Sequence, residues 1–183
     1  MKPKKLTPAI YAIYTAVILG GVLLDQLTKW LVVHYMQLYE SRPLLPGILE
    51  LYYITNKGAA WGMLADARWI FMLISTVMIL ALLPFLYLGL CDGWMQGVAV
   101  AMIISGGIGN MIDRLGRGEV VDFLHTCFMD FPTFNVADSL VCVGAALLVL
   151  ALLIEIVREY QRTKAAKVEA SAEGSKPTDS DKN

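Results

Sequence analysis

Four apolar stretches, at about residues 9–33, 69–90, 94–114 and 134–157, approach or exceed the roughly 20 residues needed to span a bilayer. Little else constrains the chain as strongly. With 57% hydrophobic and only 17% charged residues, it departs from the roughly 25% charge of soluble domains. These features predict an all-α polytopic membrane protein. They leave no soluble basic face for nucleic acid. Lysines 2, 4 and 5 followed by apolar residues resemble a signal peptide. However, the apolar run continues past Asp25 into Trp30-Leu31-Val32-Val33 with no small-x-small cleavage site. It is therefore read as a retained first transmembrane helix. Tyr11, Trp30, Trp69 and Trp94 lie near the span ends, where an interfacial aromatic belt would put them.

Basic residues orient the chain. Lys2, Lys4 and Lys5 precede the first span, and Arg158, Arg162, Lys164 and Lys167 follow the fourth. The positive-inside tendency places both termini in the cytoplasm. Loops at about 34–68 and 115–133 then face outward, and the Cys91-Asp92-Gly93 turn faces inward. In the first outward loop, Pro43, Pro46 and Gly47 precede a β-branched and aromatic run from Ile48 to Thr55. That pattern predicts a strand, part of a small extracytoplasmic β-element resting on the bilayer surface. Residues 1–164 are expected to form one domain, and the polar segment 165–183 a disordered tail dispensable for chemistry. Cys91, Cys127 and Cys142 have no CxxC spacing and read as packing residues.

Chain parity gathers the polar residues at one depth. The first and third spans end outward and the fourth begins there. Asp25 and Lys29, then Asn110, Asp113 and Arg114, then Asn135 and Asp138 therefore collect near the outer membrane surface, with Asp122 in the connecting loop. Ionisable groups at that depth are costly unless paired or used. Two carboxylates brought together can share a proton and activate water. Asp122 and Asp138 thus point to a membrane-embedded aspartyl hydrolase, set against the plainer reading of solvated helix-end carboxylates.

Asp25 and Lys29 have the favourable i,i+4 order of a helical ion pair, either merely neutralising each other or supporting the polar site. Asp113 and Arg114 read as an outer-end snorkelling pair. Gly106, Gly107 and Gly109 permit close helix approach, while Gly107-x-Gly109 lacks a dinucleotide fingerprint. His125 lies three residues after Asp122, but His34 is the only other histidine, so no metal is expected. A metal-dependent membrane hydrolase would want acids more regularly spaced than Asp113, Asp122 and Asp138. A small transporter would want charge through the full bilayer depth, and residues 69–90 contain none.

Five blocks resemble the lipoprotein signal peptidase (signal peptidase II) family. In order they are Asp25-Gln26-Leu27-Thr28-Lys29, Asn56-Lys57-Gly58-Ala59-Ala60-Trp61-Gly62, Asn110-Met111-Ile112-Asp113-Arg114, Val121-Asp122-Phe123 and Phe134-Asn135-Val136-Ala137-Asp138-Ser139. The resemblance covers about residues 10–158. It implies a four-helix membrane bundle with an extracytoplasmic β-cradle, and Asp122 and Asp138 as a catalytic dyad. It implies that Asn110, Arg114 and Asn135 organise the polar network and hold substrate, that Asp25 and Lys29 buttress it, and that Asn56 and Gly58 position the β-element over the cleft. The implied enzyme is a cofactor-free aspartic endopeptidase of the bacterial cytoplasmic (inner) membrane, working near the outer leaflet. It would cut prolipoproteins just before a diacylglyceryl-modified cysteine. Membrane lipids would be its surroundings, and a monomer is the default state.

Overall fold

The computed structural model describes residues 7–56, 58 and 68–173, excepting the side chains of 68 and 168–173. The N-terminal lysines, residues 57 and 59–62 of the second block, and the tail beyond 173 lie outside the described residues. Among the described residues, four helices are long and apolar enough to cross a membrane: α1 (Pro8–Tyr35), α2 (Arg68–Tyr87), α3 (Trp94–Gly116) and α4 (Val136–Glu173). α4 continues into the polar segment beyond residue 164, where Ala165, Ala166 and Lys167 are good helix formers.

The sheet makes an all-α description too narrow. Strands β1 (Ser41–Leu45), β2 (Leu49–Asn56) and β3 (Val120–Thr126) form an antiparallel sheet in the order β1-β2-β3. Sequence pattern predicts only β2. β1 is short and holds Pro43, which suits an edge strand. β3 lay hidden in the loop before α4 because Val120 to Phe123 are all buried, so no apolar–polar alternation marks it. Its side chains still alternate in space. Val121 and Phe123 pack with Val32 and Met36 at the end of α1, leaving Asp122 for the opposite face.

The chain falls into two compact units, Met1–Leu148 and Val149–Asn183. In the first, α3 is the inner helix: 61% of its most apolar window is buried, against 17% for α1 and 6% for α2. Its core joins Tyr14 and Ile18 of α1, Leu86 of α2, Cys91, and Val100, Ala101 and Ile104 of α3. Large exposed apolar side chains on α1 and α2, among them Leu19, Leu23, Leu73 and Leu80, form an outer surface suited to lipid. Polar cross-links also join the helices around this core: Ser105 Oγ donates to the Ile18 carbonyl at 3.0 Å, and Tyr11 Oη to the Tyr87 carbonyl at 3.1 Å.

Small residues let α3 meet the first turn of α4. A Cβ at Gly106 would run into the Ala137 carbonyl oxygen, and one at Gly109 would lie 2.5 Å from Asp25 Oδ2. Backbone cannot yield as a flexible side-chain tip can. Just past the C-terminal end of α3, Gly118 adopts φ 84°, and its N–H and that of Arg117 return to the Asp113 carbonyl at 3.2 and 2.7 Å. This left-handed cap turns the chain into β3.

Replacing Gly106 with alanine is expected to destabilise the protein by about 1–3 kcal/mol through overpacking. A thermal unfolding midpoint in detergent unchanged from wild type would contradict the close packing of α3 on Ala137.

Candidate active site

α4 begins with a reciprocal cap. Asn135 precedes its first residue, and Asn135 Oδ1 accepts the Asp138 N–H at 2.9 Å while Asp138 Oδ2 accepts the Asn135 N–H at 3.1 Å. This is the capping-box arrangement with Asn and Asp in the two roles. It aims the Asp138 carboxylate back over the helix N-terminus. The Asn135 side chain is fully buried, and its Nδ2 donates to Asp122 Oδ1 at 2.7 Å. One asparagine therefore touches both candidate aspartates.

The sheet delivers Asp122. It pairs with Ile54 of β2, and Asn56 at the end of β2 donates from Nδ2 to Asp122 Oδ2 at 3.1 Å. Asn56 Oδ1 accepts the Gly58 N–H at 2.9 Å, which fixes the amide so that its NH2 faces the carboxylate. From α3, Asn110 Nδ2 donates to Asp138 Oδ1 at 2.7 Å. Asp122 is buried, and burial together with the Asp138 carboxylate pushes its carboxyl up to about 7, against the hydrogen bonds of Asn56 and Asn135.

Asp122, Asp138, Asn56, Gly58, Asn110 and Arg114 line one cavity of about 520 Å³, in the range of small-ligand sites. Val120, Phe131, Pro132, Phe134, Cys142 and Val143 make much of its wall apolar. The sequence reading assigned none of these six to the site, although Phe134 opens the fifth block and Cys142 was read as a packing residue, since isolated apolar residues in an apolar chain carry no signal. Hydrogen bonds tie Asn56 to Asp122 and Asn110 to Asp138 beside this apolar wall, and that pairing suits a substrate part polar and part apolar.

Behind the cavity lies a second polar layer. Lys29, 1% exposed, donates to Asp25 Oδ2 at 2.9 Å, Asp113 Oδ2 at 2.8 Å and Asn110 Oδ1 at 2.9 Å. The i,i+4 pair thus forms as its spacing predicts, and it also reaches Asn110. Asp25 Oδ1 accepts the Ala137 N–H at 2.9 Å in the first turn of α4. Asp113 corrects an expectation. It is 2% exposed and turns inward to Lys29, whereas Arg114 lines the cavity and sits 5.3 Å over the Phe71 ring. The two are adjacent on a helix and so diverge, which makes a snorkelling pair geometrically poor. The available signal was the three-residue spacing that puts Asp113 on the face of Asn110. Gln26 was also passed over as a site residue: its Nε2 lies 3.1 Å from Asp25 Oδ2 and 3.3 Å from Asp113 Oδ1. His125 lies on β3 against the Tyr52 ring, with Nδ1 3.3 Å from Thr133 Oγ1.

Fold and site together define a multi-pass membrane protein with a paired-carboxylate cavity. The sequence profile described as Signal peptidase (SPase) II matches residues 17–154. The chain belongs to that peptidase family. It is 42% identical over 157 residues to a lipoprotein signal peptidase of Halalkalibacterium halodurans, covering 85% of this chain and 98% of the relative. Identity to one of Bacillus subtilis is 41% over 148 residues, with 78% and 94% covered. A solved bacterial membrane enzyme, determined in meso at 1.9 Å, superposes with a TM-score of 0.72 at 33% identity over 84% of this chain and 97% of the other. A second, at 2.3 Å, gives 0.73 at 33% identity over 79% and 90%.

The raised Asp122 carboxyl predicts a pH-dependent stability. An unfolded aspartate ionises at about 3.9, so the folded chain holds an extra proton from there up to about 7. Asp122 therefore weakens the fold increasingly as pH rises across that window, and by a constant amount above it. Asp122→Asn is expected to raise the unfolding midpoint at pH 8 more than at pH 4.5. Equal shifts at both pH values would refute the raised value.

Proposed function

We propose that Asp122 and Asp138 are the catalytic dyad with which this chain removes signal peptides from prolipoproteins, cutting just before a diacylglyceryl-modified cysteine. The observation that carries the reading is Asn135, hydrogen-bonded to both carboxylates that line one cavity. Asp122, whose carboxyl is raised by burial and by the Asp138 carboxylate, starts as the protonated partner. Asp138 takes a proton from a water held between the carboxylates, and the resulting hydroxide attacks the scissile carbonyl carbon. Asp122 passes its proton to the carbonyl oxygen. On collapse the C–N bond breaks, Asp138 returns its proton to the leaving amine, and Asp122 recovers one from the tetrahedral hydroxyl. The products are a signal peptide carboxylate and a free amine on the lipidated cysteine.

The other site residues take supporting roles. Asn56, Gly58, Asn110 and Arg114 line the cavity and hold the substrate backbone, while Asp25 and Lys29 brace it from behind. The apolar wall accepts the acyl and signal-peptide groups without drawing them fully from the bilayer. The orientation is both termini cytoplasmic in the bacterial inner membrane, with the sheet as an extracytoplasmic cradle and the site at the outer leaflet. The working unit is a monomer of residues 1–164, surrounded by membrane lipid, and the polar tail is dispensable.

With a diacylglyceryl-modified prolipoprotein as substrate, Asp122→Asn and Asp138→Asn are each expected to cut kcat by at least about 10³-fold while the proteins insert and fold. Substantial turnover by either folded variant would sink the dyad. The unlipidated precursor should remain uncut. Activity should also survive EDTA and the change His125→Ala; loss to EDTA with recovery on adding zinc would make the enzyme a metallohydrolase.

A further inference from the structure

Arg114 reaches the cavity with few bonds to hold it there. It lines the wall beside Asp122 and Asp138. Among the described residues its hydrogen bonding is limited to Nη1, which donates to the Asn110 carbonyl of its own helix at 3.5 Å. A guanidinium carries five N–H donors in a planar fork, so most of them remain available to a ligand in the cavity. A side chain this long, near the end of a membrane helix, can also swing outward to water. Keeping it over the cavity takes a second contact.

α2 supplies that contact. It runs beside α3 along an antiparallel seam. Ile79 would lie 3.5 Å from a Cβ at Gly107, and Thr76 Oγ1 lies 3.9 Å from Met111 Sδ. Phe71 ends the series, with the Arg114 guanidinium carbon 5.3 Å from its ring centroid. α2 holds no acidic residue, so a ring face is what this helix can offer a cation. A planar guanidinium lies well on such a face, and the attraction grows away from water. Phe71 is half-buried and lies outside the residues that line the cavity. Its route to a substrate therefore runs through Arg114.

We infer that Phe71 is a positioning residue for the peptidase reaction: its ring holds the Arg114 guanidinium over the cavity, with the open N–H groups toward carbonyl oxygens of the substrate backbone. The inference rests on the reading of the cavity as the prolipoprotein site. An aliphatic side chain of similar bulk fills the same space on α2 but has no negative face for a cation. Arg114 then samples several orientations and holds the substrate backbone less often, before the reaction as much as during it. Loss of that kind raises KM and leaves kcat nearly unchanged.

The test uses the full-length protein purified in detergent, with the diacylglyceryl-modified prolipoprotein. Phe71→Leu is expected to raise KM about 3- to 10-fold with kcat within about twofold. Phe71→Tyr keeps the ring face and should leave KM within about twofold of wild type. A second readout is a cycle of Kd values in the uncleaving Asp122→Asn background. With Arg114→Ala present there, Phe71→Leu should weaken binding by less than about a further twofold. Wild-type KM in Phe71→Leu overturns the role, as does a defect confined to kcat. An equal defect in Phe71→Tyr, or a full additive loss beside Arg114→Ala, overturns it too. Phe71→Met replaces a Phe71→Leu that does not fold, and collapse of both assigns Phe71 to stability and overturns the role equally. Absence of cleavage by the folded wild type overturns the peptidase reading itself, which separates the two failures.

Discussion

A buried ammonium with three acceptors organises this protein. Lys29 lies in the middle of an apolar bundle, where an unpaired charge would cost several kcal/mol (about 3–5 when one partner of a buried pair is removed). Its acceptors come from two helices: Asp25 from α1, and Asp113 and Asn110 from α3. Asp25 in turn takes the Ala137 N–H of α4. Three helices are thereby held in register at one depth by directional bonds rather than by apolar contact, which is weakly specific where lipid competes with side chains.

The polar layer in front inherits that register. Asn110 faces Asp138 because Lys29 and Asn135 occupy its oxygen. Asn135 faces Asp122 because its own oxygen caps the helix. Among the described residues no buried side-chain nitrogen or oxygen is left without a partner, as a dry polar network requires. Preorganisation of this kind leaves little to rearrange when substrate arrives.

Much of this was legible in the sequence, for reasons that differ by element. The spans were plain because length and hydropathy report directly on the bilayer, and β2 because Tyr52, Tyr53, Ile54 and Thr55 favour a pleated surface. The meeting of Asp25, Asn110, Asn135 and Asp138 followed from chain parity alone. β3 was illegible because it is buried on both sides and so lacks a period of two. The true partner of Asp113 was hidden for another reason: neighbours in sequence invite pairing, while a helix points them some 100° apart. The apolar cavity wall, from Phe131 to Val143, could not be distinguished from lipid-facing surface before the chain was folded.

The cap on α4 has a consequence for how the site can change. Asp138, which lines the cavity, closes the first turn of a membrane helix together with the buried Asn135. An inhibitor bonded to that carboxylate grips part of the scaffold as well as a member of the proposed dyad. Drug escape by substitution there would uncap α4, at about 1 kcal/mol, besides altering the chemistry. Resistance is steered toward the apolar wall, where Cys142 or Val143 can vary in bulk without loosening a hydrogen bond seen in the structure.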